Sequence, residues 1–150
     1  MDNTPSLDTI NHFIDRAEAR KLIGTYREMQ YELLNPSFQG LQKEYGVLPT
    51  WEAFNDKSIL AILAQPGCVG IRIHYGLKKQ ETERGEIPLI VSVLVGVASD
   101  GSDMWGAAAV TAPAGTALNM SATSRGEEGD GVILEDSQRC PPFGNEGKLP

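Results

Sequence analysis

Residues 69–75 alternate between apolar and polar side chains, as the residues of a half-buried β-strand do. Arg72 and His74 lie on the polar face of this strand, together with Gly70. The apolar face comprises Val69, Ile71, Ile73 and Tyr75. An apolar helical stretch precedes the strand, and a Pro-Gly pair separates the two. Residues 65–76 therefore predict the end of a helix, a turn and a strand.

The first predicted helix covers residues 16–34. Asp15 and Glu18 have the spacing of a capping box, and Ile14 is placed to pack on Ala19 as a hydrophobic staple. A single apolar stripe follows at helical spacing and comprises Ala19, Leu22, Ile23, Tyr26, Met29 or Gln30, and Leu33. Pro36 disfavours a helical conformation at the residue before it, so we expect the helix to end there.

The second predicted helix covers residues 56–64 and starts from Asn55 or Asp56. Its buried side comprises Ile59, Leu60, Ile62 and Leu63. Between the two helices, over residues 37–50, the composition shifts to Gly, Gln, Lys and Pro with isolated aromatics, which is typical of a connection over the surface.

The remaining strands follow from apolar runs and turn signals. Residues 89–97 are apolar on both faces, which favours a central strand. Residues 78–86 hold charges of both signs and are predicted to be a solvated loop that joins this strand to residues 69–75 as an antiparallel hairpin. Asp100 and Gly101 form a tight-turn pair that leads to a third strand near residues 103–110. A short strand is expected at residues 132–135.

Length and composition indicate the class of protein. A chain of 150 residues fits one domain, in which we expect residues 1–12 and 144–150 to be loosely ordered. A net charge of −7 disfavours nucleic acid as a partner. The longest apolar run is far shorter than a membrane span, and no secretory signal opens the sequence. We therefore expect a soluble, cytoplasmic protein in which Cys68 and Cys140 are free thiols.

Several short motifs occur in a fixed order along the chain. They are LAQPGC at 63–68, GIRIHYG at 70–76, LVGV at 94–97, GSD at 101–103 and CPP at 140–142. As a set, from about residue 14 to 144, they resemble a family of small uncharacterised proteins common in Bacteroidetes. The family's tail reads Cys-Pro-Pro-x-Cys, whereas Gly144 stands here where the second Cys would be. The resemblance therefore implies a shared fold, brings no assigned activity and argues against a paired-thiol redox or metal site.

Arg72 and His74 are the candidate ligand-binding residues, with Asp103 as an acidic neighbour. Two residues apart on one strand face, a guanidinium and an imidazole can both point at an anion such as a carboxylate. The alternative is that they are ordinary polar positions of a half-exposed sheet, paired with acids on a neighbouring strand. Cys68 lies roughly 20 Å from His74 along an extended strand, so the two do not form a catalytic pair.

No catalytic residue, metal site or cofactor is predicted. The two histidines are far apart and the cysteines are not at ligand spacing, which argues against zinc. The acids near Asp100 do not match a calcium loop, and the turn there lacks the lysine of a phosphate loop.

The predicted fold is α+β, with an antiparallel three- or four-stranded sheet and two helices packed on one face. The leading functional hypothesis is a non-enzymatic binding or protein-interaction module, with a protein partner or a second copy recruited by the open sheet face and the small-residue segment 105–124. The alternative is a small enzyme or anionic-ligand sensor that uses Arg72 and His74 on the open sheet face with Asp103. A third hypothesis is a structural protein in which these residues have no chemical role.

Overall fold

The computed structural model describes residues 5–105 and 131–140. These residues form the 3-10 helix η1 (Leu7–Thr9) and the helices α1 (Arg16–Leu33), α2 (Pro36–Tyr45) and α3 (Asp56–Leu63). The strands are β1 (Trp51–Ala53), β2 (Cys68–Thr82), β3 (Gly85–Ala98), β4 (Ile133–Leu134) and β5 (Gln138–Cys140). They make two antiparallel sheets, one of β1 and β5 and the other in the order β2-β3-β4. The predicted α+β class is confirmed, with a third helix and a second, two-stranded sheet in addition.

Polar side chains fix the starts of the α-helices. Asp15 accepts a hydrogen bond from the backbone N–H of Glu18 at 2.8 Å at the start of α1, so the predicted cap is formed. Asn55 caps α3 in the same way by accepting from the backbone N–H of Ser58 at 2.8 Å. Ile14, the predicted staple residue, is exposed.

Helix α2 occupies residues 36–45, where the sequence predicts the first part of a surface connection over residues 37–50. Asn35 caps it by accepting from the N–H of Ser37 at 3.0 Å, and Pro36 occupies its first turn. A proline there loses no helical hydrogen bond and already has a helical φ, so the residue that stops α1 also opens α2. Gly46 ends α2 in the left-handed conformation, with φ of 61°.

The hairpin of β2 and β3 is longer than predicted, and the expected loop over residues 78–86 is wrong. Both strands continue through this charged tract, and only two residues, Glu83 and Arg84, separate them. Lys79 and Glu86 form an ion pair across the ribbon at 3.0 Å. Gly85, with φ of 91°, permits the tight turn. The charged side chains therefore indicate that this part of the hairpin is exposed to solvent, and they do not mark the end of the paired strands.

The turn at Asp100 and Gly101 forms as predicted. Gly101 N–H donates to the carbonyl of Ala98 at 2.9 Å, and an antiparallel bridge then pairs Val97 with Asp103. The rest of the predicted third strand, residues 106–110, lies outside the described residues, as does the segment 144–150. The last predicted strand corresponds to β4, in which Leu134 pairs with Leu94 of β3.

The chain forms two compact units. The first comprises Met1–Asn11, Phe54–His74 and Ser92–Asp136. Its core cluster joins α3, β3 and β4 through Ile62, Leu94 and Leu134, with Phe54, Ile59, Cys68, Ile71 and Val132 packed around them. The predicted central position of β3 is confirmed by the strand order.

The second unit comprises His12–Ala53, Tyr75–Val91 and Ser137–Pro150. Here Leu41 and Tyr45 of α2 pack on a row of buried β3 side chains, which are Ile87, Leu89 and Val91. Helix α1 is held by Tyr26 and Gln30, both of which donate to the carbonyl of Pro49, at 2.8 and 3.3 Å. In this unit, α2 therefore packs on the apolar strand residues.

The predicted burial of one whole face of residues 69–75 is wrong. Ile71 packs in the core cluster of the first unit, but Val69, Ile73 and Tyr75 are exposed. Among the described strands, β2 lies at the edge of its sheet, and the buried cluster is centred on α3, β3 and β4. Of the four residues of the predicted apolar face, only Ile71, which reaches this cluster, is therefore partly covered.

Candidate functional site

Arg72, His74 and Asp103 meet at one point of the first unit. Alternation along β2 puts Arg72 and His74 on the same face, as the sequence predicts. Asp103 arrives there because the turn at residues 98–102 returns the chain beside β3, where the N–H of Met104 donates to the carbonyl of Gly96 at 2.9 Å. The structure therefore brings all three candidate ligand-binding residues together.

The Asp103 carboxylate interacts with the side chains of both Arg72 and His74. Arg72 Nη1 pairs with Asp103 Oδ1, and Arg72 Nη2 donates to the carbonyl of Gly101 at 3.1 Å. His74 Nε2 lies 2.7 Å from Asp103 Oδ2 and donates to it. The Asp103 side chain is 11% exposed, against 43% for Arg72 and 41% for His74. A nearly buried acid is thus satisfied by two half-exposed basic groups, so an external anion has to compete with Asp103 for them.

Trp105 is a further member of the cluster, and the sequence analysis did not assign it a role there. Its ring centroid lies 5.4 Å from that of His74, at an interplanar angle of 36°. Period-two alternation from Asp103 puts Trp105 on the same side, which is the signal that could have identified it. Asp103 and Trp105 together orient the imidazole, since one fixes Nε2 and the other covers part of the ring.

The cysteines have packing roles. Cys68 is half-buried in the core cluster of the first unit, where its thiol donates to the carbonyl of Gly70 at 3.2 Å. Cys140 is buried in the second unit, where it pairs with Trp51 across the two-stranded sheet. Both thiols are free. Within residues 5–105 and 131–140, no three His, Cys, Asp or Glu side chains are grouped so as to hold a metal ion.

A second candidate site is the apolar stripe of α1, which the sequence predicts to be buried and which is largely exposed. Leu22, Met29 and Leu33 are exposed to 55%, 41% and 62%. Gln30, by contrast, is buried, because the adjacent helix face holds the contacts to Pro49. Periodicity shows that a helix has an apolar side, but it does not show which side the rest of the chain covers. We call Leu22, Met29 and Leu33 the α1 stripe.

Comparison of this chain with protein-family models, with curated proteins and with solved structures finds no match in any of the three. The resemblance to small Bacteroidetes proteins therefore stays a prediction. In the part of the chain that the structure describes, no helix is both long enough and apolar enough to cross a bilayer.

Proposed function

We propose that this chain is a non-enzymatic protein-interaction module that binds its partner through the α1 stripe. One observation carries the proposal: three large apolar side chains lie exposed in a row on α1, beside the residues Tyr26 and Gln30 through which its own unit holds the helix. Single exposed apolar residues are ordinary on protein surfaces, but a row along one helix is typical of helix-in-groove and helix-pairing interfaces.

The energy available from covering the stripe is modest. Full burial of a Leu or Met side chain contributes about 2 kcal/mol, and these three are about half exposed, so the stripe offers roughly 3 kcal/mol. Such a gain supports reversible association rather than an obligate complex. The net charge of −7 makes a nucleic-acid partner unfavourable.

A cytoplasmic location is part of the proposal. The two free thiols, Cys68 and Cys140, support it because free cysteines suit a reducing compartment.

The test compares the wild-type chain with the double variant Leu22→Glu, Leu33→Glu. Sedimentation velocity measures self-association, and affinity purification from the source cells, with the chain immobilised, measures other partners. We expect the double variant to lose the association that the wild type shows. The matched control is Leu60→Glu on α3, because Leu60 is also 55% exposed but lies outside the stripe. A strictly monomeric wild type that retains no partner, or an association that the double variant leaves unchanged, overturns the proposal.

The second candidate is the small enzyme or anionic-ligand sensor that uses Arg72 and His74. The convergence of both side chains on Asp103, next to Trp105, favours it. It ranks second because Asp103 already occupies the donors that an anion needs. If the sensor hypothesis holds, titration with acetate or phosphate, followed by calorimetry, gives binding that Arg72→Ala abolishes and Asp103→Asn strengthens. Absence of binding to both the wild type and Asp103→Asn rejects the sensor.

A further inference from the structure

The turn that returns the chain beside β3 contains an aspartate followed directly by a glycine. Asp100 and Gly101 are both exposed, and Gly101 has a left-handed φ of 84°. We infer that Asp100 is a modification site that isomerises spontaneously to isoaspartate, that Ser102 suppresses the reaction in the folded chain, and that the product loses the contacts of Asp103. Neither the α1 stripe nor a partner is involved, so the site exists whether or not the proposed function holds.

The reaction needs only the chain itself and water. The backbone nitrogen of Gly101 attacks Cγ of Asp100, the hydroxyl of the protonated carboxyl group and the amide proton leave as water, and a five-membered succinimide forms. Water then adds to one of the two carbonyl carbons of this ring. Addition at Cγ restores aspartate, whereas addition at the α-carbonyl carbon breaks its bond to the Gly101 nitrogen, so that the backbone runs through Cβ and Cγ. A glycine at the second position favours cyclisation, because it has no side chain to hinder the attack.

Ser102 holds the Asp100 carboxyl group in its unreactive form. The N–H and the hydroxyl of Ser102 both donate to Oδ1 of Asp100, at 2.9 and 2.6 Å. Both bonds favour the ionised carboxylate, which has no hydroxyl to expel. Cyclisation therefore has to overcome the stabilisation that the two bonds give to the carboxylate.

The attacking nitrogen also has a partner in the fold. The N–H of Gly101 donates to the carbonyl of Ala98 at 2.9 Å, and the N–H of Ala98 donates to the carbonyl of Ser102 at 2.9 Å. The nitrogen has to lose its proton and turn towards Cγ of Asp100, which breaks the bond to Ala98. An unfolded chain does not have this bond to break. We therefore expect Asp100 to isomerise more slowly in the folded chain than in the unfolded chain.

Isomerisation changes the length of the turn that positions Asp103. Isoaspartate adds one carbon to the backbone of a turn whose two ends are paired by the bridge between Val97 and Asp103. The added carbon displaces Gly101, whose carbonyl accepts from Arg72 Nη2 at 3.1 Å. Asp103 lies two residues further along and interacts with both Arg72 and His74. We therefore expect the isomerised chain to lose the pairing of Asp103 with the two basic side chains.

The experiment follows isomerisation in the folded and the unfolded chain. Wild type, Ser102→Ala and Ser102→Thr are incubated at neutral pH in buffer and in concentrated urea, and chromatography of their peptides with mass spectrometry locates isoaspartate. In buffer, Ser102→Ala should isomerise at Asp100 about fivefold faster than the wild type, which corresponds to the roughly 1 kcal/mol that one hydrogen bond contributes. Ser102→Thr keeps a hydroxyl and should match the wild type. In urea, all three chains should isomerise at similar rates.

The chain offers two controls. Ser99→Ala removes a neighbouring exposed hydroxyl that does not bond the Asp100 carboxylate, so it should isomerise in buffer like the wild type. The sequence also contains a second Asp-Gly pair, Asp130 and Gly131, whose rate should be the same in Ser102→Ala and in the wild type. An equal rise at both pairs would indicate that the variant unfolds more often as a whole, and it would overturn the specific role of Ser102.

Other results would overturn the remaining steps. An unfolded chain that forms no isoaspartate at Asp100 removes the modification site, and a folded wild type that isomerises as fast as the unfolded chain removes the suppression. NMR of the imidazole groups tests the consequence by comparing aged with fresh Ser102→Ala. The signal of His74 should move as isoaspartate accumulates, while that of the exposed His12 should not. A His74 signal that isomerisation leaves unchanged would contradict the loss of the Asp103 contacts.

Discussion

The side chain of Gln65 forms hydrogen bonds with the backbone of Val132 and with the end of α3. Its Oε1 accepts the N–H of Val132 at 2.9 Å, and its Nε2 donates to the carbonyl of Ile62 at 3.0 Å. Gln65 is buried, although it is polar and directly precedes the Pro-Gly turn. One side chain therefore joins two parts of the first unit that are far apart in sequence.

Replacing Gln65 with Ala should destabilise the fold. The N–H of Val132 then loses its acceptor in a partly buried place, which costs about 1–3 kcal/mol. Urea unfolding, followed by circular dichroism, should show a lower midpoint with an unchanged slope. Gln39→Ala is the control, since Gln39 Nε2 donates to the carbonyls of Tyr31 and Leu34, and its loss leaves no backbone N–H without an acceptor. Equal losses in the two variants would contradict a special role for Gln65.

Two glycines should respond to alanine with opposite signs. A Cβ at Gly131 would collide with the backbone carbonyl of Met104, which no rotamer change can move. Gly131→Ala should therefore destabilise the first unit by about 1–3 kcal/mol. A Cβ at Gly24, inside α1, meets nothing within 4 Å. Gly24→Ala should stabilise the chain by about 0.5–1 kcal/mol, because alanine is the better helix former.

Thermal unfolding of both variants measures this difference. The midpoint of Gly131→Ala should fall, and that of Gly24→Ala should rise. A neutral Gly131→Ala would show that the backbone of Met104 can move away without loss, and the close approach would then have no energetic consequence.

The parts of the fold that local rules govern could be predicted from the sequence. Period-two alternation put Arg72 and His74 on one face, and the turn signal at Asp100 brought Asp103 towards them. The caps Asp15 and Asn55 likewise depend only on residues a few positions away.

The remaining features depend on which other parts of the chain cover a given helix or strand. A local sequence pattern does not contain this information. The spacing of α1 identified an apolar stripe, but the buried contacts of the helix go through Gln30 and Tyr26 to Pro49. The pairing of β1 with β5 joins Trp51 to Cys140, and both strands are too short to carry their own alternation signal. At Pro36 the sequence allowed two interpretations, a helix stop and a helix start, and both apply.

The pair of Arg72 and Asp103 should contribute little to stability. Arg72 is almost half exposed, so solvent screens the interaction, and we expect Arg72→Ala to cost less than about 1 kcal/mol. The cost should shrink further at high salt, because mobile ions screen surface charges. Urea unfolding at low and high salt measures both effects. Arg84→Ala is the control, since it removes an exposed ion pair with Glu44 whose nitrogen–oxygen distance is 3.1 Å. A large loss that salt leaves unchanged would instead indicate that Asp103 requires Arg72 in order to stay buried.

The turn that delivers Asp103 contains an acid with a shifted pKa. The pKa of Asp100 lies below its ordinary value, first because the hydroxyl of Ser102 donates to its carboxylate and second because the N–H of Ser102 does so as well. Both bonds favour the ionised form. Ser102→Ala removes the larger cause and keeps the smaller one, so the pKa of Asp100 should rise towards its ordinary value without reaching it. Ser102→Thr keeps a hydroxyl and should leave the pKa of Asp100 low.

The same shift fixes the direction of a pH effect on stability. A carboxyl group whose pKa is lower in the folded state stabilises the fold at pH values above its unfolded pKa, and this contribution is lost as the pH falls through the folded pKa. The loss between these two pKa values should therefore be smaller in Ser102→Ala than in the wild type. NMR titration of the Asp100 carboxyl carbon gives the pKa, and unfolding at several acidic pH values gives the stability. If Ser102→Ala left the pKa of Asp100 unchanged, the hydroxyl of Ser102 would not be the main cause of the shift.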